Sequence, residues 1–363
     1  MPEPIRFPAD EQAHPTIVEW WYLNGHLRAS NGDRYQFMTC LFKADPRKIK
    51  LPFFKYLPLK TAYFIHEIIT DLQAKRTYRK IIPLALASPE SFSRPLLYVQ
   101  AANWNLSEHQ PFAYTLTTPH LKLNLQSQKP PLLENQTGYI DLKVKDTYYY
   151  TLSRLAPRGE ITIGDRTIPI MDGVAWLDHQ WANCGFQPAD DIWTWFSLQL
   201  ENGLEVVAFR YGGKTVTELA TASFPDGKTK TTGTLSLEPI GKPWVSPQTG
   251  ATYSLSWRVK LPEFDFDVTV RPLHERQEMV FGVLNYWEGG IEVTGTHNGQ
   301  SIRGVGFLEL AGVPVPTSRK KMFERALQDA VKKSSQQIEE RFINAAERQL
   351  TSLRRLIHWR KKH

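Results

Sequence analysis

Cysteine is almost absent from this chain, with only Cys40 and Cys184 among 363 residues. Two thiols are too few for a disulfide framework or a cysteine-based zinc site, so isolated thiols are expected; one bridge between them is the other arrangement the count allows. No run of about 18 apolar residues occurs, as a helix crossing a bilayer would need. The opening MPEPIRFPADEQ lacks the basic stretch followed by an apolar one that marks a secretory signal. A cytoplasmic protein, neither secreted nor membrane-spanning, is expected. There is also no P-loop, no HExxH, no GxSxG, and no GxGxxG placed between a strand and a helix. GVGF at Gly304 contains GxG but runs directly into FLEL, so turn or bulge glycines explain it better than a phosphate cradle. HEII at His66 lacks the second histidine of a zinc site, and a buried pair satisfied by partners is the simpler reading.

An excess of one charge is missing from most of the chain. The formal charge is +7, yet residues 319–363 hold 13 Lys and Arg against five Asp and Glu, leaving 31 basic against 32 acidic residues elsewhere. A neutral body does not offer the clustered Lys and Arg that phosphate contacts need, so nucleic acid is not an expected partner. In the basic tail Phe323, Leu327, Val331, Ile338, Phe342, Ala345, Leu350, Leu353 and Ile357 recur at mostly three- and four-residue spacing. This predicts an amphipathic helix, broken near Ser334 and Ser335, that either packs on its own body or makes peripheral contact with an anionic membrane or a partner.

Aromatic residues are plentiful, at 12% with 11 Trp and 14 Tyr, and large rings favour sheets and ligand-lined cavities. The length calls for two domains plus an appendage, and 41% hydrophobic content can supply their cores. EWWYLNGHLRASNGDRYQFMTCLF, from Glu19, predicts a hairpin about a SerAsnGlyAsp turn. TAYFIHEIITD, TGYIDLKVK, YYYTLSR, RGEITIG and TIPIMDGVAW continue in short strands separated by turns, which indicates antiparallel sandwich or barrel architecture. The Pro-rich residues 51–60 read as a long loop or lid. A second series from Ile192, IWTWFSLQLENGLEVVAFRY, resembles the first hairpin in outline and is followed by further strands to GVGFLELAG. The expected organisation is an arm over 1–18, β-domains over 19–186 and 187–313, and a helical tail over 314–363.

The segment WLDHQW concentrates chemistry. Strand alternation puts Trp176, Asp178 and Gln180 on one side, and Leu177, His179 and Trp181 on the other. An imidazole beside an indole in a dry cavity suits acid–base work, and an indole face stabilises a neighbouring cation by about 0.5 to 2 kcal/mol. Such a pair suits a reaction passing through a carbocation. Spacing alone also fits a plainer role, in which Asp178 and His179 satisfy backbone groups where one domain hands over to the next.

Taken in order, EWWYLNGHL, HEIITD, AWLDHQW, WTWFSLQLENG, NYWEGGIEVTG and GVGFLELAG resemble the AttH-like, or carotenoid 1,2-hydratase, family from about Glu19 to Gly312. The resemblance implies two tandem lipocalin-like antiparallel β-barrels with a ligand site at or near their contact. Members include hydratases that add water across a terminal isoprenoid double bond, and related lipocalin-like proteins catalyse pericyclic ring closure. It implies that His179 and Trp181, matching an HxW pair, are catalytic. The family's Tyr and acid on the next hairpin are replaced by Phe209 and Arg210, so Asp178, Asp190 or Asp191 would have to supply the acid. It further implies ligand contacts for Glu19, Trp21, Tyr22, His66, Trp176, Trp193, Trp195, Trp287 and Glu288, although Trp20 and Trp21 also suit packing across a barrel base. The expected function is binding of an apolar isoprenoid or polyene molecule and hydro-lyase chemistry on it. A non-catalytic carrier or chaperone is the first alternative, and a cyclase or pericyclase the second. No metal or organic cofactor is implied.

Overall fold

The computed structural model describes residues 2–48, 60–88, 90–185, 191–281 and 284–316. The expected tail helix, nearly all of the expected 51–60 loop and Asp190 lie outside these residues.

Two antiparallel sheets account for almost all regular structure. The first contains β1 (Val18–Ala29), β2 (Arg34–Ala44), β3 (Ala62–Asp71), β4 (Arg76–Ala85), β5 (Tyr98–Ala101), β6 (Trp104–Gln110), β7 (Ala113–Thr117), β8 (Leu121–Ser127), β9 (Leu132–Leu133), β10 (Tyr139–Asp141), β11 (Asp146–Ile163) and β12 (Arg166–Ala182). Its order is β4-β3-β2-β1-β12-β11-β8-β7-β6-β5, so the last long strand returns beside the first. The second contains β13 (Trp193–Leu200), β14 (Glu205–Tyr211), β15 (Thr217–Ser223), β16 (Thr229–Thr232), β17 (Ser236–Ile240), β20 (Ser256–Leu261), β21 (Phe266–Pro272), β22 (Glu278–Phe281), β23 (Leu284–His297) and β24 (Gln300–Ala311), with β18 (Trp244–Val245) and β19 (Thr252–Tyr253) pairing apart. Here too the first strand, β13, lies between its hairpin partner and the last strand. Both expected hairpins form, with Gly32 (φ 86°) and Gly203 (φ 79°) taking the left-handed conformation that glycine adopts without steric cost.

The expectation of two closed barrels is corrected to a nearly closed barrel and a half-barrel. In the first sheet an isolated bridge links Ala87, just after β4, to Ala101 at the end of β5, joining the two edges. In the second, β16 and β17 remain unpaired edges, although they are consecutive. Only four residues long, β16 offers little to pair with, and Pro239 in β17 cannot donate a ladder hydrogen bond.

Strand alternation sorts the aromatic residues into three apolar groups. Trp21, Leu23, Tyr150, Leu177 and Trp181 fill the first barrel, and Phe196, Trp257, Trp287 and Leu308 the half-barrel. Tyr22, Met38, Cys40, Tyr149, Trp176, Trp195, Phe209, Tyr286 and Phe307 form a layer between the sheets. The N-terminal arm occupies part of the first barrel: Ile5 joins its core, and Phe7 sets its edge on Tyr150 and Phe112. The Trp21 indole donates to the Glu11 carbonyl (3.1 Å), and the Tyr114 hydroxyl bonds the Glu11 carboxyl. No helix among the described residues is long and apolar enough to cross a membrane.

Candidate functional site

The residues singled out from sequence separate into two clusters on opposite faces of the β1–β12 pair. Cross-strand register places Trp21 beside His179 and Glu19 beside Trp181 on the barrel side, and Tyr22 beside Asp178 on the side facing the second sheet. The anticipated sharing of faces along WLDHQW is therefore observed. Asp178 accordingly stands on the opposite face from His179 and Trp181, because adjacent strand residues point opposite ways.

On the barrel side, the fully buried Glu19 carboxylate collects donors. It accepts from His179 Nε2 (2.9 Å), His14 Nδ1 (2.7 Å), Lys43 Nζ (2.7 Å) and the His14 backbone N–H (3.0 Å). Burial would raise the Glu19 pKa, but the hydrogen bonds from His14 and His179 and the charges around it bring it down to about 2. Burial lowers the pKa of His179 and keeps its ring neutral. His14 stacks on Trp181 (centroids 3.8 Å, 7°), and His179 on Trp21 (4.7 Å, 21°). The arm packs on this cluster through His14. His179 and Trp181 thus hold the arm, and neither reaches the layer between the sheets. His14 and Lys43 were not foreseen, since His14 lies in an arm without periodicity.

The opposite face carries Tyr22, His66, Trp176, Asp178, Trp193, Trp195 and Glu288, with Cys40 between Tyr22 and His66 in the register. Asp178 accepts at Oδ1 from Thr151 (2.6 Å) and the Trp176 indole (2.7 Å), and its Oδ2 is 2.9 Å from the Tyr149 hydroxyl. The Trp195 indole in turn donates to Tyr149 (3.0 Å). Across the layer the Tyr22 hydroxyl bonds Glu288 and accepts from Asn24 Nδ2 (3.0 Å). Glu288 stands directly opposite Glu309 on the paired strands β23 and β24, and Trp193 bonds Glu309. The Tyr286 hydroxyl pairs with His66 Nδ1, and the two rings stack at 5.7 Å.

No Lys or Arg among the described residues forms an ion pair with Asp178, Glu288 or Glu309; the buried basic groups pair with Glu19, Glu205 and Asp191 instead. The three carboxyls are consequently pushed towards the protonated form. Burial raises Asp178 to about 7 against its three hydrogen bonds, and raises Glu309 to about 7. Glu288 is driven well above the usual carboxylate range, first by burial and then by Glu309. Burial alone takes His66 down to about 3, so its imidazole is neutral. The layer combines carboxyls pushed towards the protonated form, a neutral imidazole and aromatic faces.

Other residues singled out from sequence lie elsewhere. Trp287 lies in the half-barrel core, donating to the Glu275 carbonyl (2.6 Å), while its neighbour Glu288 faces the layer. Phe209 lines the layer, but Arg210 is exposed and paired with Glu218. Asp191 bonds Tyr211 and Lys145, so its charge is compensated. Glu309, Tyr286 and Tyr149 were missed; an acid within the apolar strand GFLELAG was the available signal for Glu309. His66 and Glu67 are both buried, as expected, but on opposite faces, Glu67 meeting His120.

A family model described as AttH-like matches residues 1–313. A solved structure of a putative AttH from Nitrosomonas europaea superposes with a TM-score of 0.74 at 24% identity, covering 86% of this chain and 98% of that one. Kievitone hydratase from Nectria haematococca superposes with a TM-score of 0.66 at 16% identity, covering 85% and 93%. A curated relative, the dehydratase asqC of Emericella nidulans, is 24% identical over 200 residues, so the chain spans about half the length of that relative, 52% of each being matched.

Proposed function

The chain belongs to the AttH-like family, and from that premise we propose that it is a hydro-lyase, adding water to or removing it from an apolar alkene-bearing molecule between its two sheets. The observation that carries this reading is the set of carboxyls pushed towards the protonated form, Glu288 furthest and Asp178 and Glu309 to about 7, in an aromatic layer beside the neutral His66. Hydration of an alkene needs a proton donor that is still protonated near neutrality and surroundings that do not quench a cation. Glu288, held by Tyr22, gives its proton to one alkene carbon; the faces of Trp176 and Trp195 stabilise the positive charge on the other. Water bonds to that carbon and loses a proton to His66, which returns it to the carboxylate. Dehydration is the reverse path. The hydratase and dehydratase names of two relatives support both directions. A carotenoid-like polyene is the proposed substrate, and its binding would rest on apolar burial at about 25 cal/mol per Å².

A carrier function is the second reading. It is favoured by Phe209 and Arg210 standing where the resembling hydratases have a Tyr and an acid, and by the donors that occupy both oxygens of Asp178. Incubation with polyenes from a lipid extract separates the two readings. A gain or loss of 18 mass units is expected, with Glu288→Gln and His66→Phe each slowing it by about 10²–10⁴-fold. A polyene that is bound and returned unchanged establishes carriage instead, and an undiminished rate in Glu288→Gln removes that residue from the mechanism.

A further inference from the structure

We infer that His14 Nδ1, Glu19 Oε1 and His179 Nε2 form a binding site for one late first-row divalent metal ion of the Zn²⁺ type, which ties the N-terminal arm to the first barrel. The three side chains come from the arm, β1 and β12, and their ligand atoms all lie within 4.8 Å of one another. Both imidazoles aim at the same carboxylate oxygen, at 2.7 and 2.9 Å. Around a tetrahedral ion with bonds of 2.0–2.1 Å, ligand atoms stand about 3.4 Å apart, so the rings need to shift by only about an ångström. Two imidazoles and one carboxylate, with one position left open, are a donor set suited to Zn²⁺.

The surroundings fit this use. Lys43 holds Glu19 Oε2 and leaves Oε1 as the single ligating oxygen. Trp181 and Trp21 grip the two imidazoles by their faces and fix the direction of their nitrogens. Both nitrogens of His14 face carboxylate oxygens, Nδ1 at Glu19 and Nε2 at Asp10 Oδ1 (3.2 Å). With an ion at Nδ1, the Nε2–H would donate to Asp10, the carboxylate–histidine arrangement that orients metal ligands. His14 is only partly buried, which gives an ion a path from solvent.

The test is direct titration of the chelator-stripped full chain with Zn²⁺, followed calorimetrically and by thermal unfolding. One ion per chain and a raised unfolding midpoint are expected. His14→Ala, a change in the arm, should weaken that binding at least a hundredfold and abolish the rise, and Asp10→Asn should weaken it about tenfold. Equal affinity in the wild-type chain and His14→Ala, or no binding at all, overturns the inference. Both readouts are independent of any reaction in the layer between the sheets.

Discussion

Replacing Asp178 with asparagine tests whether the layer between the sheets really holds uncharged acids. The native carboxyl is fully buried, and its pKa rises from 3.8 to about 7; burial is the largest cause, opposed by the hydrogen bonds of Thr151, Tyr149 and Trp176. A folded-state value above the unfolded one means that folding retains the proton. The associated stability is therefore fully present below about pH 4 and is lost as pH rises through 7. Roughly three units at about 1.4 kcal/mol each give about 4 kcal/mol, of which about 2–3 kcal/mol disappears between pH 5 and 7.5. Asparagine keeps the shape and an acceptor for Thr151 and Trp176 but does not ionise. Urea unfolding of both proteins at pH 5 and pH 7.5 measures the difference, in which carboxyls common to both largely cancel. Asp178→Asn should gain about 2–3 kcal/mol on the wild type over that interval. A gap that stays constant with pH would refute the claim that burial raises the Asp178 pKa in the folded protein.

Two glycine changes separate rigid from yielding neighbours. A Cβ on Gly306 would lie 2.0 Å from the Ser197 carbonyl oxygen, whereas one on Gly290 would meet the end of the Gln36 side chain at 2.4 Å. Gly306→Ala should cost about 2–3 kcal/mol and Gly290→Ala about 1 kcal/mol or less, since Gln36 can swing aside; equal shifts in unfolding midpoint would contradict this. Removing residues 319–363 should lower binding to anionic vesicles at low salt, because basic residues near such a surface contribute about 1 kcal/mol each. Identical vesicle binding with and without the tail leaves packing as its role.

Much of the local architecture was legible because the period of two is a property of the backbone. It placed both hairpins, and it put Trp176 with Asp178 on one side of β12 and His179 with Trp181 on the other. Alternation says which residues share a face, however, and not what that face meets. The partner of His179 is Glu19, 160 residues away, and that contact depends on the β1–β12 register, which no local pattern encodes. The incomplete closure of the second sheet was hidden for a similar reason. It turns on which of its consecutive short strands fail to pair.

The division of the motif residues has a chemical logic. Glu19 can remain a carboxylate because Lys43 and two imidazoles surround it, and such a compensated cluster is suited to holding an arm in place or a metal ion. The carboxyls of the layer have hydroxyl, indole and amide neighbours but no cation, so dehydration of their surroundings makes them acids near neutrality. Had the cationic groups been distributed the other way, Glu19 would be pushed towards the neutral form and the layer towards the charged one, with anions where carboxyls shifted towards protonation now stand among rings. A lysine introduced opposite Glu288 would therefore remove the proposed chemistry even if the fold survived, because the acid would hand its proton to the amine before any alkene could take it.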